Sequence, residues 1–218
     1  MTKSIILSVR PEWVAKILNG EKTIEIRRNA PKCDLPIDVY IYCTKAEGYL
    51  QKCEFYVDDE LGGIRTHKGF IVFSSEMPVG MGQWYWIGDR GCLGLCGCDE
   101  VIANVDKKLE EQIDYIESEL YAEHPSNGMA VARFTLYKVE EIHVDPVNGN
   151  SYFTDFLTEQ GLLDLSSLTR YRLHEYLDSG RGYAWYIQNL IIFDEPKPLS
   201  DFGLTKAPQS WQYVEVVE

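Results

Sequence analysis

The chain has 218 residues, 45% of them hydrophobic, and a formal net charge of -13 at pH 7. This length allows a normal buried core and favours one domain with an insertion over two small domains. The acidic balance argues against extensive binding of duplex nucleic acid, which requires a broad positive field. No stretch reaches the run of about 20 apolar residues that crosses a bilayer. Because Arg10 and Pro11 interrupt the short apolar run at the start, a signal peptide is not indicated, and we expect a cytoplasmic protein.

The charge is unevenly distributed along the chain. Residues 1–32 contain seven Lys and Arg against three Glu, a net charge of +4. The remaining residues contain 14 bases against 31 acids, a net charge of -17. A small basic cleft on an acidic body suits a nucleotide, a nucleoside or a short single strand. The alternative is that these bases are only solvated surface.

The start of the chain predicts a strand followed by a helix. The segment SIILSV at residues 4–9 is rich in Ile, Leu and Val, as a buried strand is. In RPEWVAKILNG, Pro11 suits the first helical turn, apolar residues recur four positions apart, and Gly20 supplies a stop. We therefore expect a short amphipathic helix that ends at Gly20.

A short strand with a polar face is predicted next, in the segment GEKTIEIRR. Two isoleucines alternate with Thr23, Glu25 and Arg27, which places these three polar residues on one face of the strand. Lys22 lies at the turn before it. A cation, a hydroxyl, a carboxylate and a guanidinium are thus expected to converge within a few residues.

The middle of the chain, residues 46–127, has an irregular pattern. Nine of the 17 glycines lie between residues 62 and 97, mixed with Phe, Trp and Tyr. One helix is predicted there, over residues 106–121, because apolar side chains recur on one face: Leu109, Ile113, Ile116 and Leu120. We interpret this span as an insertion.

Clear strand patterns flank the insertion on both sides. They occupy residues 37–45 before it and residues 128–142, 181–193 and 209–217 after it. Helical spacing appears between residues 152 and 177. The strand before residue 194 ends at a proline-containing segment, DEPKPLSDF, which cannot continue a ladder.

The cysteines and glycines suggest no cofactor site. The group CLGLCGC, residues 92–98, offers three thiols, but a structural zinc site takes four ligands and the four histidines are scattered, so we favour free thiols over a metal. The segment GDRG, residues 88–91, resembles the backbone clamp of KH domains without its flanking helices and is interpreted as a turn. Phosphate-loop, dinucleotide and nucleophile-elbow motifs are absent. We predict no cofactor.

The segment LSVRPEWVAKILNGEKTIEIRR resembles the opening motif of the ASCH family, a branch of the PUA-like superfamily, in which G-x-KT-x-E-x-R is a fairly specific element. The segments VYIYCTK and AVARFTLYKVEEI resemble later family strands. The C-terminal part is similar to ASCH proteins common in phages and prophages. The resemblance implies an α+β fold over residues 1–218: a PUA-like β-barrel with flanking helices, and residues 46–127 as an inserted lobe rich in glycine and aromatic residues.

The resemblance also implies a cleft beside the first helix and strand in which RNA or a modified nucleoside binds. Lys and Arg can hold a phosphate or a base carbonyl, Glu can accept from an exocyclic amine, and an aromatic ring can stack on a base. The alternative is a set of surface ion pairs between carboxylate and guanidinium groups that contributes about 0 to 1 kcal/mol to stability and has no binding function. The candidate ligand-binding residues are Lys22, Thr23, Glu25, Arg27, Arg28, Tyr42 and Trp185.

Two functions of different classes follow from this cleft. The first, which we prefer, is a module that binds short single-stranded RNA or a nucleotide. The second is a hydrolase, because some ASCH proteins are amidohydrolases acting on N4-acetylcytidine, and Lys22 and Glu25 are then the catalytic candidates. That pattern reads KT-x-T-x-R, with the second Thr as nucleophile, whereas this chain carries Glu25 there. We therefore expect little or no such activity, although a Lys and Glu pair can support other proton transfers.

Overall fold

The computed structural model describes residues 2–46, 49–58, 64–73, 82–87, 92–95, 100–102, 116–119, 127–144, 151–178 and 180–216. Its strands form two sheets. One is built from the two ends of the chain, and the other from the middle.

The first sheet carries the strands that the sequence pattern predicts. Its six main strands follow the order β13-β1-β3-β10-β12-β2, and a short strand, β11, pairs with β10. The sheet is mixed, because β1 and β3 run parallel whereas the other neighbours are antiparallel. The strands are β1 (Thr2–Val9), β2 (Ile24–Arg27), β3 (Ile37–Cys43), β10 (Ala130–Val144), β11 (Tyr152–Phe153), β12 (Gly182–Lys197) and β13 (Trp211–Val216).

The barrel implied by the resemblance is not closed in the described strand pairing, because β13 and β2 stand at opposite ends of the strand order. Side chains nevertheless connect these ends. Arg27 at the end of β2 donates to the Ser8 carbonyl of β1 and to the hydroxyl of Ser210, which precedes β13. The sheet is therefore curled enough for one guanidinium to span the gap.

Helix α1 (Pro11–Leu18) joins β1 to the segment before β2. Pro11 begins the helix after an extended Arg10, as predicted, and Val14, Ala15, Ile17 and Leu18 form its buried face. The chain leaves the helix through Gly20, whose φ of +78° lies in the left-handed region that favours glycine. This turn directs Lys22 back under the helix, where its backbone N–H donates to the Lys16 carbonyl.

Two more helices, α2 (Glu159–Ser166) and α3 (Arg170–Leu177), fall where helical spacing predicts them. Both begin with a threonine cap: the Thr158 hydroxyl accepts from the Gly161 N–H and the Thr169 hydroxyl from the Arg172 N–H. Leu162, Leu173 and Leu177 are buried in a core cluster shared with β2 and β12. A 3₁₀ helix, Leu199–Phe202, precedes the last strand.

The middle of the chain forms a second, antiparallel sheet with the order β5-β4-β9-β6-β7-β8. All of its strands lie inside residues 46–127, the span interpreted as an insertion, and its pairing is separate from that of the first sheet. The strands are β4 (Tyr49–Asp58), β5 (Ile64–Phe73), β6 (Gly82–Ile87), β7 (Cys92–Leu95), β8 (Glu100–Ile102) and β9 (Ile116–Glu119). Whether this span is an insertion into a single domain stays a prediction.

The prediction of a helix over residues 106–121 is wrong for residues 116–119. Ile116–Glu119 form strand β9, which pairs with β4 on one side and β6 on the other. Pairing on both sides overrides the helical spacing of the apolar residues, as tertiary context often does. Residues 103–115 and the segment GDRG lie outside the described part of the chain.

The second sheet is attached to helix α1 by specific contacts. The Asn19 side chain donates to the Phe70 carbonyl (3.0 Å) and accepts from the Phe70 N–H (2.8 Å). Leu50 and Val72 are buried in the same core cluster as the inner face of α1. Helix α1, which precedes the charged strand β2, thus packs against residues of both sheets.

Two further sequence predictions concern cysteines and membranes. Cys33 and Cys43 are free thiols, and burial raises the pKa of Cys43 to about 12, which makes it unreactive. Cys92 begins β7, whereas Cys96 and Cys98 lie outside the described residues. Among the helices that the structure describes, none has the length and apolar character needed to cross a membrane.

Candidate functional site in a charged cavity

A cavity of about 690 Å³ opens where the β1–α1 junction, strand β2 and helix α3 meet. Of the described residues, five bases and three acids line it, a net charge of +2 on a chain whose total is -13. The charged lining residues are Arg10, Lys22, Arg27, Arg28, Arg172, Glu12, Glu25 and Glu175.

Three of these residues form a buried ionic group at the floor, which we call the Lys22–Glu25–Arg27 triad. Glu25 Oε2 lies 3.2 Å from Lys22 Nζ, and Glu25 Oε1 lies 2.9 Å from Arg27 Nη2. All three residues are more than nine-tenths buried. Buried charges are costly unless they are paired and hydrogen-bonded, so each member depends on the others.

Lys22 makes contacts beyond the triad. Its Nζ donates to the Ser166 carbonyl at the end of α2 (2.7 Å) and lies 5.5 Å from the centre of the Trp13 ring. Burial lowers the pKa of Lys22 from its ordinary value of 10.5, and the neighbouring Glu25 carboxylate offsets this only in part. The lysine is therefore held by fixed partners in a site that disfavours its charge.

Arg27 holds the cavity wall together. Its Nη2 donates to the Ser8 carbonyl (2.8 Å) and its Nη1 to the Ser210 hydroxyl (3.3 Å). Its Nε is buried and has no hydrogen-bond partner among the described residues. One guanidinium thus joins β2, β1 and the start of β13 beneath the β1–α1 junction.

On the rim of the cavity, Arg side chains lie close to aromatic rings. The Arg172 guanidinium lies 5.3 Å from the centre of the Trp13 ring and 3.2 Å from Glu12 Oε2. Arg28 donates to the Tyr176 carbonyl from Nε (3.0 Å) and Nη2 (2.6 Å), and its guanidinium lies 5.4 Å from the Tyr176 ring centre. Among the residues that the structure describes, Trp13 and Tyr176 are the aromatic residues that line the cavity.

The structure brings together four of the candidate ligand-binding residues, because Lys22, Glu25, Arg27 and Arg28 all line the cavity. Thr23 does not line it. Thr23 precedes β2, is exposed, and donates its backbone N–H to the Leu165 carbonyl.

The two aromatic residues proposed for stacking lie elsewhere. Trp185 has 0% exposure and packs edge-on against Trp211 at 5.4 Å, so no base can reach its face in this structure. Tyr42 is buried with Tyr40 and Phe202 in a separate cluster, because it alternates along β3 with residues of the main core. Neither residue lines the cavity.

Of the rim residues, sequence reasoning found Arg28 and missed Trp13, Arg172 and Tyr176. Trp13 is one of the apolar residues in the segment that predicts α1, and no sequence pattern connects it with α3, which lies about 150 residues further along the chain. The basic residues within LTRYRLHEYL were the only available signal. In the described part of the chain, no group of three His, Cys, Asp or Glu side chains is arranged to hold a metal ion.

The structure is thus that of an α+β protein with a charged cavity beside a mixed sheet. The family model of the ASCH domain matches residues 7–197, and the chain therefore belongs to the ASCH domain family. The family resemblance of the opening motif is thus confirmed.

Two solved structures of ASCH proteins from Zymomonas mobilis are similar to the chain. One has 12% identity and a TM-score of 0.49, covering 97% of this chain and 87% of the other. The second, of a mutant protein, has 13% identity and a TM-score of 0.46, covering 97% of this chain and 90% of the other. No curated protein matches.

Proposed function

We propose that the protein binds short single-stranded RNA or a nucleotide in the charged cavity. The observation that supports this function best is the buried Lys22–Glu25–Arg27 triad at the floor of a cavity with surplus positive charge. The cavity volume of about 690 Å³ lies within the range of small-molecule sites, about 300 to 1,000 Å³. The acidic remainder of the chain disfavours long duplexes, so the ligand is small or single-stranded.

The triad and rim supply the groups that base recognition needs. Lys and Arg donate to carbonyl and ring-nitrogen acceptors, and a carboxylate accepts from an exocyclic amine. On the rim, Trp13 and Tyr176 take over the stacking role for which Tyr42 and Trp185 are badly placed. Membership of the ASCH family agrees with RNA as the ligand. A cytoplasmic setting and an origin in a phage or prophage genome are part of the same proposal.

Titration of a labelled single-stranded oligoribonucleotide tests this function. We expect weak, salt-sensitive binding with a shallow salt slope, because few phosphates are contacted and each contributes about -0.7 to the slope for single strands. The double variant Lys22→Gln with Arg27→Gln should abolish binding.

A second pair of variants tests the cavity without disturbing its buried floor. Arg28→Gln with Arg172→Gln removes two rim cations and should weaken binding at least tenfold. Arg133→Gln, which removes the same charge from an ion pair with Asp38 outside the cavity, is the control. If the rim variant and the control bind RNA as the wild type does, the cavity is not the binding site.

A hydrolase acting on a modified nucleoside is the second candidate function. The observation in its favour is that burial lowers the pKa of Lys22 while its Nζ contacts Glu25, an arrangement suited to proton transfer. We prefer binding, because Glu25 stands where the related amidohydrolases carry a Thr nucleophile. Chromatography of N4-acetylcytidine incubated with wild type, Glu25→Gln and Glu25→Thr distinguishes the two. Robust turnover by the wild type would favour the hydrolase, and turnover that survives Glu25→Gln would place the catalytic group elsewhere.

A further inference from the structure

We propose that the ligand of this cavity carries a phosphate, and that Arg10 and Arg27 bind it at the β1–α1 junction. The inference rests on the proposed function and assigns the part of the cavity that holds the phosphate of the RNA or nucleotide. The phosphate belongs either to a mononucleotide or to the backbone of a short RNA.

Arg10 is the one cavity cation whose guanidinium has no partner among the described residues. Lys22 and Arg27 share Glu25, Arg172 is paired with Glu12, and Arg28 donates to a backbone carbonyl. Arg10 is exposed and extended, with φ of -69° and ψ of 149°, and it lines the cavity as the residue before α1. It is therefore free to bind an anion.

Arg27 brings a second guanidinium to the same place. It donates to the carbonyl of Ser8, two residues before Arg10, so it lies directly beneath the junction. Arg27 is 8% exposed, lines the cavity, and has a buried Nε without a partner among the described residues. The Trp13 and Val14 N–H groups in the first turn of α1 donate to the Arg10 carbonyl, which fixes the backbone of Arg10 at the start of the helix. Arg10 and Arg27 thus both line the cavity at the β1–α1 junction.

The charge of the lining agrees with a phosphate. The ion pairs within the lining cancel, and an excess of two positive charges remains. A neutral nucleoside leaves this excess uncompensated. A phosphate monoester carries a charge of about -1.5 to -2 at neutral pH and matches it. Arginine is also the side chain whose fork of donors fits phosphate oxygens best.

Calorimetric titration with the four ribonucleosides, their 5′-monophosphates and inorganic phosphate tests the inference. In the wild type, we expect at least one monophosphate to bind at least about tenfold more tightly than its nucleoside, as loss of a charge-assisted hydrogen bond predicts. Arg10→Gln should remove most of this preference. The control variant Arg133→Gln, outside the cavity, should keep the preference for the monophosphate over its nucleoside. Because Arg10 is exposed, its replacement leaves the core intact.

A short oligoribonucleotide with and without a 5′-phosphate separates the two sources of phosphate. Dependence on the 5′-phosphate indicates a terminal nucleotide, and equal binding that still needs Arg10 indicates a backbone phosphate. Equal affinity of Arg10→Gln and wild type for every phosphorylated probe would overturn the inference. So would equal binding of nucleosides and monophosphates by the wild type, although the cavity would then still bind nucleotides. Failure of all probes and oligonucleotides to bind would overturn both this inference and the proposed function.

Discussion

Glu25 is the residue on which the cavity floor depends. Its two oxygens face two different cations, both of which lie in the same buried group. At this scale the sequence was informative, because alternation along GEKTIEIRR places Glu25 and Arg27 on one face and the turn at Gly20 brings Lys22 to them. Tyr42 and Trp185 could not be placed in the same way, since which face of a strand meets a cavity depends on the packing of distant strands.

Glu25→Gln should destabilise the fold, because it leaves two buried cations without a counter-charge. Removing one partner of a buried ion pair typically costs about 3 to 5 kcal/mol. Urea unfolding at neutral pH measures the loss, with Glu175→Gln as the control, since Glu175 is exposed and should change stability by less than about 0.5 kcal/mol. Equal stability of the two variants would show that the triad contributes no net stabilisation.

The contribution of Lys22 to stability should increase with pH in the alkaline range. Burial lowers the native pKa of Lys22 below its ordinary value of 10.5, so between these two values the unfolded chain binds more protons than the native one. The contribution of Lys22 to the free energy of unfolding is therefore fully present above pH 10.5, and it is lost as the pH falls through the lowered native pKa. The measurement is urea unfolding of wild type and Lys22→Met from about pH 8 upward. The difference in free energy of unfolding, wild type minus variant, should rise with pH; a flat or falling difference would contradict a lowered pKa.

At the scale of elements, helix α3 forms the wall that completes the cavity. The strand patterns of the chain ends predicted β1, β2, β3, β10, β12 and β13, because each alternates or is continuously apolar in a way that only a strand explains. The docking of α3 against α1 was not predictable, since it depends on single contacts such as Arg172 with Trp13 and Glu12. Strand β9 was mistaken for a helix because its partners lie in other parts of the chain.

The cap of α3 offers a test of this wall. Thr169→Ala removes the hydroxyl that accepts from the Arg172 N–H and should cost about 1 kcal/mol of stability. It should also weaken RNA binding, because the first turn of α3 carries Arg172. Thr158→Ala removes the matching cap of α2 and should cost a similar amount of stability without the loss in affinity. Thermal unfolding and RNA titration of both variants are the measurements, and an equal effect of the two on affinity would argue against α3 as a wall of the site.

At the scale of the whole molecule, an acidic chain keeps a small positive region where its two ends meet. Strands from both ends build the sheet, and Arg27 links them across its open edge. The second sheet is joined to the first through Asn19 and the core under α1, and none of its described residues lines the cavity. Composition alone predicted the basic segment and the acidic remainder. It did not predict the second sheet, because glycine-rich segments with scattered aromatic residues show little alternation.

The most direct test of the central claim, that RNA binds in this cavity, is a ¹⁵N–¹H correlation spectrum of the tryptophan indoles during titration with a short single-stranded RNA. Trp13 lines the cavity, whereas Trp185 and Trp211 pack against each other outside its lining. We predict that the Trp13 indole signal, assigned from its loss in Trp13→Phe, shifts most and saturates with the affinity measured by titration. A Trp13 signal that stays fixed while RNA binds, with the largest shift at another tryptophan, would contradict the claim.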